Sequence, residues 1–159
     1  MDGLIDYSVC SESERVEYAK SLILSSELSE LAYDSSSEVR IAVAYNPYTD
    51  VDTRLVLAHD PDSNVRCAIA DSEYTDAYVL AGLVNDPSFN VCIAIAYNKK
   101  TPPGALHILY KDSCWLVRCG VAHNENSLTE TLFYLLEDEY SEVREAAMHT
   151  LEGRMTKAT

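Results

Sequence analysis

The sequence predicts an all-α solenoid of five tandem 26-residue repeats, each made of two short helices, behind a divergent N-terminal helical cap. Three observations carry this. Asp34, Asp60, Asp86, Asp112 and Asp138 recur at one fixed step. Val39, Val65, Val91, Val117 and Val143 keep the same step, as do Leu31, Leu57, Leu83, Leu109 and Leu135. Small residues fill two further columns: Ala42, Ala68, Ala94, Gly120, Ala146, and Ala44, Ala70, Ala96, Ala122, the latter ending in Met148. A fixed period held without insertion marks a repeat architecture, in which each unit buries its apolar face only against its neighbours.

Taken in order, residues 1–27 form the cap, 28–152 the five repeats and 153–159 a flexible tail. In the cap, Ser11 and Glu14 stand at capping-box spacing, and Val16 and Ala19 repeat the Val-x-x-Ala pattern 23 residues ahead of Val39. In the repeats, the column Thr49, Thr75, Thr101, Ser127 supplies a start signal for the first helix, with Thr49–Asp52 and Ser127–Glu130 at capping-box spacing and Thr101-Pro102 as a cap followed by proline. That helix carries Leu55 with Ala58, Leu80 with Leu83, Leu106 with Leu109 and Leu132 with Leu135. At about eight to ten residues it is marginal alone in water and depends on stacking.

The Asp column supplies the N-cap of the second helix, with Asp60-Pro61 and Asp86-Pro87 placing proline at its first position. Val65, Ala68 and Ile69 then share one face. The helix ends near Asn46, Ser72, Asn98 or Asn124, residue types that favour turns. The alanine columns permit close helix approach, and the Val and Leu columns make a continuous core. After Leu151 no apolar period remains, so the tail is expected to fray.

The unit Leu57-Ala58-x-Asp60-Pro61-Asp62-x-x-Val65-Arg66-x-Ala68-x-Ala70, followed by Thr75, resembles the leucine-rich repeat variant, a family among the HEAT-like helical solenoids. The resemblance covers about residues 28–151 and is most specific in the Asp-x-x-x-x-Val-Arg element. It implies a right-handed superhelix that binds other macromolecules, in which one helix of each pair can be of the tighter 3₁₀ type. The iron–sulfur module that accompanies such repeats in one family protein has no counterpart here, since Cys10 is the lone cysteine of the cap.

Twelve Lys and Arg against 26 Asp and Glu leave a net charge of -14. A phosphate-binding surface needs the opposite sign, so direct nucleic-acid binding is not expected. No apolar run is long enough to span a membrane, and the acidic start MDGLIDYSVCSESE lacks the pattern of an export signal. Five cysteines without a Cys-x-x-Cys pair fit reduced thiols and a cytoplasmic location.

Arg40, Arg66, Arg118 and Arg144 follow the valine column, and the third repeat alone departs, with Cys92. Because Asp and Arg recur in nearly every unit, they read as a structural ladder in which guanidinium groups bond backbone or Asp groups of a neighbouring unit. Of the four histidines only His123 and His149 share a column, and neighbouring repeats stand about 10 Å apart. A metal needs ligands at about 2.0–2.1 Å, so no metal site and no cofactor is expected. No phosphate loop, nucleophile elbow or His-Glu-x-x-His motif appears, and an enzyme is not expected.

Charge is unevenly spread. Residues 1–76 carry -11, residues 77–124 carry +2 and residues 125–159 carry -5. In the middle zone the column Ser37, Ser63, Ser141 becomes Phe89 and Trp115, and the column Glu38, Asn64, Asn90, Glu142 becomes Leu116. Lys99, Lys100, Lys111 and Tyr110 belong to the same two repeats. These residues are the candidate partner-binding patch, because aromatics in a polar, exposed column are the form an interface anchor takes. The competing reading is that Phe89 and Trp115 stack on each other or cover Cys114.

The leading functional reading is a non-enzymatic protein-binding module that presents this patch on an acidic surface. An alternative is an acidic inhibitor that imitates nucleic acid and occupies the groove of a nucleic-acid-binding protein, with Glu12, Glu14, Glu17, Glu27, Glu30, Asp50, Asp52, Asp62, Glu73 and Asp76 as its face. A more remote alternative is a HEAT-like enzyme acting on DNA, which needs a basic groove that seven arginines, four of them in the ladder, do not provide.

Overall fold

The computed structural model describes residues 7–157, and these are helical without any strand. The chain forms two compact units, one reaching to Ile69 and the other beginning at Ala70. In the first, a 3₁₀ turn at Tyr7–Val9 precedes α1 (Glu12–Ser21), α2 (Ser25–Leu31), α3 (Ser37–Tyr45), α4 (Val51–Leu57) and the body of α5 (Ser63–Asp71). The second contains α6 (Ala77–Gly82), α7 (Phe89–Tyr97), α8 (Pro103–Leu109), α9 (Trp115–His123), α10 (Thr129–Leu135) and α11 (Ser141–Lys157). The helix pairs recur in the register of the sequence columns, and the fold class is the α-solenoid that the columns predict. Both helices of each pair are α, where the family resemblance allowed a 3₁₀ helix.

Helices this short persist only through packing. In the first unit α3 packs against α1, α2 and α4; in the second α9 packs against α7 and α11, with α8 and α10 alongside. The columns explain why. Val39, Val65, Val91, Val117 and Val143 are wholly buried, and Leu31, Leu57, Leu83, Leu109 and Leu135 nearly so. Burying one such side chain contributes about 1.5–3 kcal/mol.

Gly120 shows how tight the alanine columns are. A Cβ there would stand 2.8 Å from the Ala96 Cβ and 2.9 Å from two ring carbons of Tyr97. Ala96 is buried and cannot retreat without moving α7. We therefore expect Gly120→Ala to destabilise the chain: overpacking costs about 1–3 kcal/mol, against about 1 kcal/mol gained in helix propensity. Urea unfolding followed by circular dichroism measures the net loss; a variant more stable than wild type would show that the contact relaxes freely.

Local start signals differ from the sequence expectations. Asp34 lies ahead of α3, whose N-cap is Ser36, and its Oδ1 accepts the Ser36 amide at 2.8 Å. Asp60, Asp86, Asp112 and Asp138 accept from the amide two residues on in the same way, at 2.7–3.0 Å. The column thus builds Asx turns leading into the second helices, where a carboxylate cap was expected. The Thr column is no cap either. Thr49, Thr101 and Ser127 each donate to a carbonyl six residues back, in the preceding helix, at 2.6 Å. The N-cap positions of α4, α6, α8 and α10 hold Asp50, Asp76, Pro102 and Leu128, and of these Asp50 alone caps through its side chain, accepting the Thr53 amide. The Ser11–Glu14 capping box is present as read.

Two boundaries move. The α1 register lies 25 residues ahead of α3, where the Val-x-x-Ala pattern suggested 23: Arg15 takes the role of Arg40 and Ala19 that of Ala44. At the other end, the expected tail from 153 is helical through Lys157. The asparagine that ends α3, α7 and α9 is Thr150 in α11, which bonds the Ala122 carbonyl at 2.7 Å without turning the chain. Arg154 then fastens the last turns to the carbonyls of Glu125 and Ser127, at 2.9 and 2.5 Å, and to the Thr129 hydroxyl at 3.1 Å. Residues 158 and 159 of the expected tail, and 1–6 of the cap, lie outside the described residues.

Candidate functional site

The N-terminal ends of the second helices carry the Asp–Arg ladder. The guanidiniums of Arg15, Arg40 and Arg118 fork onto the aspartate of the next repeat through Nε and Nη2, while Nη1 returns to backbone carbonyls of the same repeat. Arg15 meets Asp34 at 2.6 and 3.0 Å, Arg40 meets Asp60 at 2.6 and 2.9 Å, and Arg118 meets Asp138 at 2.6 and 3.0 Å. The backbone arm runs from Arg40 to Asp34 O, from Arg66 to Asp60 O, from Arg118 to Asp112 O and from Arg144 to Asp138 O, at 2.6–2.8 Å. Burial pushes the Asp34 and Asp138 carboxyls up, but the guanidinium and turn-amide hydrogen bonds outweigh it and hold both below the ordinary aspartate value.

In the third repeat the Cys92 thiol replaces the guanidinium. It reaches the Asp86 carbonyl at 3.4 Å, so the backbone arm survives in weaker form, and Asp112 keeps its turn amide from Cys114. Burial, with Asp112 and Asp86 nearby, pushes the thiol up to about 11. Cys92 is thus a neutral rung.

Beside the ladder lie the aromatic residues. Phe89 opens α7 and is 63% exposed, and Leu116 in the first turn of α9 is 41% exposed. Trp115 is half-buried and stacks on Tyr140, with centroids 5.4 Å apart and planes 12° apart; Arg118 lies 5.6 Å over the same Tyr140 ring. Trp115 therefore pairs with a tyrosine of the following repeat, where Phe89 or Cys114 had been the candidate partner. Tyr110 stacks on Tyr134 at 5.3 Å, against His107 at 5.1 Å and under the Lys111 ammonium at 5.1 Å. Tyr134 and Tyr140 went unnoticed in the sequence because neither shares a column with its partner. The signal was the offset: ring partners stand 24 or 25 residues apart, one repeat on and a step sideways.

Lys99 and Lys100 do not join this patch. They follow α7 at its C-terminal end, a helix length of about 13 Å from Phe89.

At that end stands a second ladder, which the sequence reading took for turn residues. The Asn46 amide bonds Ala19 O and Leu22 O at 2.7 and 2.9 Å; Asn98 bonds Ala70 O and Ser72 O at 2.8 and 3.2 Å; Asn124 bonds Ala96 O and Asn98 O at 2.8 and 2.9 Å. These amides satisfy carbonyls orphaned at the end of the preceding second helix. His123 stacks on Tyr97 at 6.1 Å and bonds the Cys119 carbonyl through Nδ1 at 3.0 Å. Burial first, then the Cys119 hydrogen bond, pushes the Tyr97 hydroxyl up to about 12. Among the described residues no group of three or more His, Cys, Asp or Glu side chains is placed to hold a metal ion, and no helix is long and apolar enough to cross a membrane.

The model of the family described as leucine rich repeat variant matches residues 38–62, which hold Val39, Arg40, Leu57 and Asp60. The resemblance read from the repeat unit is borne out there. A solved structure described as a leucine-rich repeat variant with a novel repetitive protein structural motif is similar at 22% identity and a TM-score of 0.43, covering 91% of this chain and 68% of that one. None of the curated proteins matches the chain.

Proposed function

We propose that the chain is a non-enzymatic protein-interaction module, and that the exposed apolar surface opening α7 and α9 binds a protein partner. Helical repeats of this kind suggest an interaction role. The observation that carries the finer reading is the exposure of Phe89 and Leu116 in columns that are Ser, Asn or Glu in the first, second and fifth repeats. An exposed aromatic and an exposed aliphatic at the starts of successive second helices have the composition of an interface core, and such anchors cost about 2 kcal/mol or more when truncated. The acidic surface around it selects against partners of like charge and speeds encounter with basic ones. Trp115 is half-buried and stacked on Tyr140, so Trp115→Ala perturbs folding as well as contact.

The clean test replaces Phe89 with Ser and Leu116 with Asn, the residues of the equivalent columns. Tagged chain captures partners from native lysate, and wild type and double variant are compared in low and high salt. We expect the double variant to melt like wild type and to lose about tenfold or more of the partner retained at high salt. A partner indifferent to these substitutions and released by salt would favour the nucleic-acid mimic instead, since exposed charge pairing is screened by added ions.

A further inference from the structure

The C-terminal ends of α7 and α9 and the second half of α11 line two concavities of about 390 and 520 Å³. They share His123 and Glu125 and so adjoin one another along these residues, a two-part trough within the second unit. Tyr97 and Lys99 line it at one end, His149 and Arg154 at the other. We propose that this trough is a second binding site, separate from the Phe89 surface, and that its ligand is an extended peptide segment bearing carboxylates.

Charge is the first reason. In a chain of net charge -14, the trough sets Lys99 and Arg154 against one carboxylate, Glu125, among its lining residues, with His123 and His149 as further polar groups. The second reason is that the usual obstacle to an anion at helix C-termini is partly offset. Exposed terminal carbonyls carry partial negative charge. Here Asn124 bonds Ala96 O and Asn98 O, Asn126 bonds Lys99 O and Thr101 O, Thr150 bonds Ala122 O, and Arg154 bonds Glu125 O and Ser127 O. Arg154 thus brings a full positive charge to the far end. Shape is the third. Neighbouring second helices stand about 10 Å apart, so a trough over three of them runs about 20 Å, the length of about six extended residues. The rings of Tyr97 and His123 line the trough beside such a chain. Nucleic acid fits less well, because its charge every 1.7 Å or so along the duplex would meet the acidic remainder of the molecule.

The test uses the full chain and a fluorescein-labelled hexaglutamate peptide, followed by anisotropy in about 0.15 M salt, where charges beyond about 8 Å are screened. We expect saturable binding that weakens about tenfold or more in Lys99→Ser/His149→Ser, two exposed positions whose replacement leaves the melting curve unchanged, and that is unaffected by Phe89→Ser. Absence of saturation below about 1 mM, equal binding by the Lys99→Ser/His149→Ser variant, or tighter binding of hexalysine or of a six-nucleotide single strand would each overturn the assignment.

Discussion

Replacing Arg118 with methionine is expected to lower the stability of the folded chain by about 3–5 kcal/mol, the range for breaking one side of a buried ion pair. Methionine keeps the stem's packing but removes the fork onto Asp138 and the arm to the Asp112 carbonyl. Both side chains of the pair are about nine-tenths buried, so the abandoned Asp138 carboxylate has little water to turn to. Arg118→Met with Asp138→Asn should recover part of the loss, because an asparagine can still accept the Tyr140 amide and no longer buries an unpaired charge. Urea unfolding of the four proteins forms the double-mutant cycle; a single substitution costing under about 1 kcal/mol would place the pair with ordinary surface bridges. The same ladder sets an acid limit. Asp138 is held below its ordinary value in the folded chain, so its contribution is complete above the unfolded aspartate value of about 3.9 and is lost as pH falls through the folded value. Asp138→Asn should accordingly flatten the fall in stability below about pH 4.

How much of this was legible in the sequence depends on whether a residue acts within its column or across columns. Val39, Leu57 and their equivalents act by burial at one helical phase, which spacing alone reveals, and the repeat and its helix pairs follow from them. Asp60 and Arg40 were legible as partners because both recur, but the role of the aspartate in capping was misread: an Asx turn and an N-cap demand the same residue types two positions apart. The asparagine ladder was missed for a related reason. Asn98 in a turn is ordinary, and only the fold shows that its amide reaches back 26 and 28 residues. Of the candidate patch, Phe89 and Leu116 are exposed as their columns predicted, while Lys99 and Lys100 stand at the opposite ends of the helices. Adjacency in one repeat does not mean adjacency in space when a helix separates two loops.

The second large effect is expected at Arg54, where the repeat is broken and repaired. Its column is otherwise leucine, at Leu28, Leu80, Leu106 and Leu132, and those leucines are wholly buried. Arg54 is itself only 2% exposed. The asparagine column lapses too: besides Thr150 inside α11, it does so at Ser72, a side chain without an amide. In Asn98 and Asn124 that amide serves the last carbonyls of a second helix; at the end of α3 the guanidinium of Arg54 serves instead, bonding Ala44 O at 2.9 Å, Asn46 O at 2.8 Å and Thr49 O at 3.1 Å. The two departures thus compensate one another, and a cation is in any case favoured at a helix C-terminus. Arg54→Leu restores the apolar column and gains about 2 kcal/mol of burial. It also strips the arginine donor from buried carbonyls, each costing about 1–3 kcal/mol, although Asn46 O keeps the Thr49 amide. With the lost helix-end charge added, we expect a net destabilisation of about 2–3 kcal/mol. Arg54→Lys should fall between the two, since one ammonium cannot match the planar fork on three carbonyls. Urea unfolding decides it: a leucine variant as stable as wild type would mean that the apolar column, and not the carbonyl ends of the helices, governs what this position tolerates.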